Sequence, residues 1–160
     1  SCMVQMARFF WKFTQSECSS KCTPCREGTK RMLEILTRIT EGKGQEGDIE
    51  KLERLGSMIK KASLCGLGQS APNPVLSTIS NFRQEYEEHI YEKKCRAKRC
   101  KSMLSYQITD ACVGCTACAR VCPVDAISGE KKKQHVIDQD TCIKCGQCFE
   151  ACKFDAIVKV

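Results

Sequence analysis

The chain has 160 residues, a formal net charge of +7, 15 cysteines and a single tryptophan. That length is one ordinary domain or two small ones, and so much cysteine excludes an ordinary enzyme core. No apolar run approaches the roughly 20 residues that cross a bilayer, which excludes a membrane helix. The chain opens at Ser1 with neither Met nor a basic-then-apolar leader, which predicts a piece of something longer.

Residues 1–90 read as a small helical bundle. Val4, Met6, Ala7, Phe9, Phe10 and Phe13 lie on a broad helical face, and Met32, Leu33, Ile35, Leu36 and Ile39 recur with the same period. Gly42 and Gly44 end the second helix. Asp48 is the expected N-cap of a third helix through Leu52, Leu55, Met58 and Ile59, and Pro74 opens a fourth through Phe82 and Tyr86 to His89. The aromatic run Phe9, Phe10, Trp11 and Phe13 is expected to be core. Cys2 is expected to be a buried thiol flanking the first helix.

The chemistry of this region lies in Cys18-x3-Cys22-x2-Cys25 and the distant Cys65. The first three alone match the spacing of radical S-adenosylmethionine enzymes, but those need a barrel for which this chain has neither the length nor the alternating strands and helices. The longer strings Lys21-Cys22-Thr23-Pro24-Cys25-Arg26-Glu27-Gly28-Thr29 and Ser63-Leu64-Cys65-Gly66-Leu67-Gly68-Gln69-Ser70-Ala71-Pro72-Asn73-Pro74 resemble the iron–sulfur end of NADH-oxidising flavoprotein subunits. These include the flavin subunit of respiratory complex I and the beta subunits of NAD-dependent and electron-bifurcating [FeFe] hydrogenases. The resemblance implies that Cys18, Cys22, Cys25 and Cys65 bind the [4Fe-4S] cluster that first takes electrons from flavin. The family usually reads Cys-Gly-Lys-Cys where this chain has Cys18-Ser19-Ser20-Lys21-Cys22. Either Cys18 reaches the cluster through a loop longer by one residue, or the site has three thiolates, is labile, or uses Ser19.

Much of the positive charge sits in residues 91–104, where Lys93, Lys94, Arg96, Lys98, Arg99 and Lys101 face only Glu92. The run reads as a linker or hinge. No aromatic residues interleave with it as single-strand nucleic-acid surfaces require, so a nucleic-acid partner is not expected. His89-x5-Cys95-x4-Cys100 spans this segment. Two readings stand, a small zinc site with a fourth ligand from Cys2, another subunit or water, and unligated residues in a mobile linker.

The last third settles what most of the cysteines are for. Cys112-x2-Cys115-x2-Cys118-x3-Cys122-Pro123 recurs 30 residues later as Cys142-x2-Cys145-x2-Cys148-x3-Cys152, and Val124-Asp125-Ala126-Ile127 recurs as Phe154-Asp155-Ala156-Ile157. This is an internal duplication. Three cysteines at such intervals converge on one cluster, and the fourth ligates the other. One [4Fe-4S] cluster is therefore assigned Cys112, Cys115, Cys118 and Cys152, and the second Cys142, Cys145, Cys148 and Cys122. The pattern resembles bacterial-type ferredoxins. Gly114, Ala117, Gly146 and Ala151 let backbone amides approach the sulfurs. Lys153 replaces the first repeat's Pro123, so the two centres are expected to be inequivalent, and His135 is expected to be a solvated strand residue.

The expected fold class is α+β, with a helical iron–sulfur bundle at 1–90, a basic linker at 91–104 and a two-cluster ferredoxin-like domain at 105–160. A bundle of this type joined to a duplicated ferredoxin resembles the C-terminal part of the beta subunit of a multimeric bifurcating or NAD(P)-dependent hydrogenase. An equivalent formate dehydrogenase segment and a free-standing ferredoxin-like carrier are the alternatives. The resemblance implies that FMN and NAD(P) bind upstream, that the partners are other subunits of such a complex and a ferredoxin, and that the parent works in a reducing cytoplasm. No general acid, general base or nucleophile is nominated. Each oxidised four-thiolate cluster carries about −2, so three would bring the net charge close to neutral.

Overall fold

Apolar residues at three- and four-residue intervals build the first half of the chain. The computed structural model describes all 160 residues, divided into two units, Ser1–Met103 and Leu104–Val160. The first unit contains α1 (Met3–Glu17), α2 (Thr23–Thr40), α3 (Asp48–Ala62), the short α4 (Gly66–Ser70) and α5 (Asn73–Glu87), then a wide π turn over Glu88–Glu92 and a 3-10 turn over Lys101–Met103. Helices α1, α2, α3 and α5 pack as a bundle, with α1 against α2 and α5, and α3 against α2 and α5.

Helix α1 buries Val4, Ala7, Trp11 and Thr14, and α2 buries Met32, Ile35, Leu36 and Ile39. Leu52 and Ile59 of α3 and Val75 and Ile79 of α5 close the core. Each large apolar side chain so buried contributes about 1.5–3 kcal/mol. Trp11 also donates from Nε1 to the Thr29 carbonyl at 2.8 Å, so its one polar atom is satisfied. The expected aromatic core is corrected here: only Trp11 is inside, while Phe9 and Phe13 are 66% and 58% exposed and Phe10 packs edge-on against Phe9. Four consecutive aromatic-rich positions cannot all face one side of a helix, and the buried series is the one that includes position 11.

Helix α2 ends in a Schellman motif. Gly42 (φ 74°) donates to the Ile39 carbonyl and Lys43 to the Arg38 carbonyl. The N-cap of α3 is Gly47, not Asp48. Asp48 is the first helical residue and completely buried, accepting from the Gln45 amide at 2.9 Å and from both Nε and Nη2 of Arg38. Its carboxylate thereby ties the end of α2 to the start of α3. Residues beyond the π turn fold onto the same unit: Cys95 and Cys100 are buried in its core, Lys93 donates to the Gly44 carbonyl, and Arg96 pairs with Glu88.

The second unit is built by the duplication. Strand β1 (Tyr106–Ile108) pairs antiparallel with β4 (Ile157–Lys159), and β2 (Ile127–Ser128) with β3 (Val136–Ile137). The one-turn helices α6 (Ala117–Arg120) and α7 (Gln147–Ala151) follow the two cysteine loops and pack on each other. Tyr106, Cys118, Ile127, Ile137, Cys148 and Ile157 form its core. Ser105 and Val160 exchange backbone hydrogen bonds at 3.0 and 2.9 Å, closing the unit at its two ends. The whole is a helix-rich mixed fold with two small sheets.

Replacing Asp48 by Ala removes the charged pair and the turn acceptor together. We expect Asp48→Ala to lower stability by about 2 kcal/mol in chemical denaturation with an unchanged m-value. A loss below a few tenths of a kcal/mol would show that the tie between α2 and α3 is dispensable.

Candidate metal centres

Cysteines converge in both units. In the first unit, Cys18 caps the C-terminus of α1, Cys22 caps the N-terminus of α2, and Cys65 caps the N-terminus of α4. Pro24 in the first turn of α2 favours its start just after Cys22, and Ser20, in the left-handed region at φ 58°, turns the chain between Cys18 and Cys22. Cys18 Sγ lies 3.1 Å from Cys25 Sγ, whereas Ser19 is exposed. Burial, then the hydrogen bond that Cys25 donates to Cys18 and the charges of Cys18, Cys22 and Cys65, pushes the Cys25 thiol up to about 12. The four sulfurs thus share one electrostatic neighbourhood. Cys22 is held below its ordinary value, chiefly by the Leu64 backbone amide and then that of Cys25.

This neighbourhood suits a sulfur-rich cofactor. Ser63 Oγ is buried with no nitrogen or oxygen partner, and it lies beside Cys22 as a donor for sulfur. Gly68 leaves room for Ser63, since a Cβ there would come 2.6 Å from Ser63 Cβ and Oγ. Ser63 escaped the sequence reading because a lone serine beside a cysteine carries no pattern.

In the second unit two small, partly open cavities separate the eight repeat cysteines. Cys112, Cys115, Cys118 and Cys152 line one, with Ile108, Ala156 and Ile157. Cys142, Cys145, Cys148 and Cys122 line the other, with Ile127 and Ile137. The fourth cysteine of each repeat therefore faces the other repeat's cavity. The lining suits a compact cluster: apolar walls exclude water, and backbone amides point at sulfur, Ala126 N at Cys122 Sγ (3.3 Å) and Lys144 N at Cys142 Sγ (3.4 Å). Gly114 (φ 67°) and Gly146 (φ 86°) bend the two cysteine loops in the left-handed region. Burial raises the Cys118 and Cys148 thiols.

A fourth group is Cys2, His89, Cys95 and Cys100, all buried, with one ligand atom from each within 4.8 Å of the others. Cys2 Sγ is 3.3 Å from His89 Nε2 and 3.9 Å from Cys100 Sγ, and Cys100 Sγ is 3.5 Å from His89 Nε2. His89 Nδ1 lies 2.6 Å from the Glu85 carbonyl, which only accepts, so Nδ1 carries the hydrogen and Nε2 faces the thiols. The hydrogen bond with Cys100, helped by His89 and the Gln5 amide, outweighs burial and brings Cys2 down to about 4. Cys100 moves up through the same bond and through burial. Burial alone would push His89 down, but the hydrogen bond and charge of Cys2 raise it to about 9. Three thiols and one imidazole at such distances are a donor set that could hold a tetrahedral metal ion. The sequence left the fourth position open because Cys2 is separated from His89 by 87 residues.

His135, read from the sequence as solvated, is only 1% exposed. A strand of two residues carries too little periodicity to show which face is inside.

Comparison with known proteins follows the same division. Residues 5–89, just over half of the chain, match the NADH-ubiquinone oxidoreductase-F iron-sulfur binding region, and residues 111–156 match a 4Fe-4S dicluster domain. The NADP-reducing hydrogenase subunit HndC of Solidesulfovibrio fructosivorans is 55% identical over 135 residues, covering 84% of this chain and 28% of that protein. The F subunit of the NADH-quinone oxidoreductase of Streptomyces coelicolor is 40% identical over 102 residues, covering 64% of this chain and 23% of its own length. The chain thus spans about a quarter of the curated relatives it matches. Among solved structures, an NAD+-reducing [NiFe]-hydrogenase in the H2-reduced state aligns with a TM-score of 0.54 at 34% identity, over 56% of this chain and 16% of that one. The chain is an iron–sulfur electron-transfer region, and it belongs to the family of the NADH-ubiquinone oxidoreductase-F iron-sulfur binding region.

Proposed function

We propose that the chain is a relay of three [4Fe-4S] clusters, working between an upstream FMN that exchanges hydride with NAD(P) and the redox centres of partner subunits in a hydrogenase-type complex. The observation that carries the reading is the pair of cavities in the second unit, each lined by three cysteines of one repeat and the fourth of the other. Cys112, Cys115, Cys118 and Cys152 hold one cluster, and Cys142, Cys145, Cys148 and Cys122 hold the next. Cys18, Cys22, Cys25 and Cys65 hold the third, which the short distance from Cys18 to Cys25 supports. The working division is a bundle at 1–90, a basic segment at 91–104 and a ferredoxin-like domain at 105–160. The setting is a reducing cytoplasm, with a ferredoxin among the electron partners.

A [4Fe-4S] cluster, when bound, accepts and releases one electron at a time. The protein's part is to hold, shield and tune. Cysteine thiolates anchor, the walls of Ile108, Ile127, Ile137 and Ile157 exclude water, and amides such as Ala126 N and Lys144 N stabilise negative charge on sulfur. Cys2, His89, Cys95 and Cys100 take zinc, which joins the start of α1 to the segment after α5 and carries no electrons.

The full chain, prepared without oxygen, is expected to contain about twelve iron, twelve acid-labile sulfide and one zinc. About eight iron and eight sulfide would leave the bundle cysteines unloaded and overturn the three-cluster reading. Zinc without sulfide would replace the relay by a zinc-organised scaffold. Cys100→Ser should bring zinc well below one per chain while iron stays constant, and undiminished zinc would refute the proposed site. The 160 residues by themselves are expected to show no NADH oxidation, and any turnover with NADH and a dye acceptor would contradict the assignment of flavin and nucleotide sites to an upstream segment.

A further inference from the structure

His135 is buried to 1% exposure, yet its Nε2 has no hydrogen-bond partner. A buried polar atom of this kind calls for something to bond to, because leaving it unmade costs about 1–3 kcal/mol. Its other nitrogen, Nδ1, lies 3.1 Å from the Lys133 carbonyl. That contact fixes the ring with Nε2 on the opposite side.

The duplication locates what Nε2 faces. Ile108 pairs with Ile157 as Ile137 pairs with Ile127, and the Thr109 amide donates to Ala156 as the Asp138 amide donates to Ala126. Two residues earlier, Tyr106 opposite Lys159 corresponds to His135 opposite Gly129. The His135 ring indeed lies against Gly129, 2.7 Å from where a Cβ would stand. Tyr106 faces the second cysteine loop: its hydroxyl lies 2.8 Å from where a Cβ on Gly146 would stand, and burial followed by the charges of Cys148, Cys145 and Cys142 raises it. By the same symmetry His135 faces the first loop. The neighbouring backbone agrees, since the Lys132 amide donates to the Gly114 carbonyl at 3.1 Å and Lys133 lies against Gly114.

We propose that His135 hydrogen-bonds through Nε2 to a sulfur of the cluster held by Cys112, Cys115, Cys118 and Cys152, and so sets the potential of that cluster apart from its twin's. Cluster sulfurs accept and never donate, so Nε2 is the donor in this bond. A donated hydrogen stabilises the more negative reduced cluster and raises its potential. The second cluster has Tyr106 in the same place, a neutral group. His135 is a positioning and tuning residue, neither a ligand nor a carrier of electrons.

The inference rests on the cluster assignment above, and its test separates the two. Full chain carrying 15N-histidine, with clusters confirmed by iron and sulfide analysis, is reduced and studied by pulsed EPR. A 15N coupling to a reduced cluster is expected, and it is expected to be absent in His135→Phe. In redox titration His135→Phe should move one wave to lower potential and leave the others in place, and His135→Gln, which restores a donor near Nε2, should move it back. If His135→Phe fails to hold its clusters, the 15N coupling in the unsubstituted chain decides alone. Loaded clusters with no histidine coupling would overturn the role of His135 and leave the relay standing. Absence of iron and sulfide from the second unit would overturn the relay itself.

Discussion

Converging thiols are the constraint to which this structure answers. All fifteen cysteines are free, and most of them stand in groups where ionised sulfurs would repel one another. Cys25, raised by burial and then by its neighbouring thiols, is a sign of this crowding. A shared cation relieves the repulsion, so that metal affinity becomes folding free energy. Apolar packing alone explains the bundle, but it does not explain why sulfurs distant in sequence meet in four places.

The helices contribute more than scaffolding. Cys2, Cys22 and Cys65 are the N-cap residues of α1, α2 and α4. At such positions backbone amides are free, and at the longer α1 and α2 the helix dipole also favours an anion. A thiolate is thereby stabilised before any metal arrives, as the Gln5 amide at 3.4 Å from Cys2 Sγ illustrates. The pair of half-buried Arg38 with buried Asp48 holds α2 against α3 and keeps this frame in register.

The sequence disclosed the second unit well because duplication is a strong signal. Two four-cysteine runs offset by 30 residues define both the loops and the exchange of fourth cysteines between cavities. The bundle's helices were legible from their period, and the end of α2 from Gly42. What stayed hidden depended on tertiary burial. Phe9 and Phe13 have the chemistry of core residues, but only Trp11 finds the inside. His135 has the chemistry of a surface residue, yet the strand pairing turns it inward. Cys2 could be named as one of several fourth partners for His89, Cys95 and Cys100, but only the packing of α1 against α5 brings it there.

The reciprocal hydrogen bonds between Ser105 and Val160 place the entry and exit of the second unit side by side. A unit whose ends meet behaves as a closed loop on the chain, because whatever precedes and whatever follows it attach at one point. Such a unit is portable. Gene fusion can set it between two residues of another protein without prising the flanks apart, and its natural ends can be joined and new ones opened at the exposed turn around Lys131–Lys133.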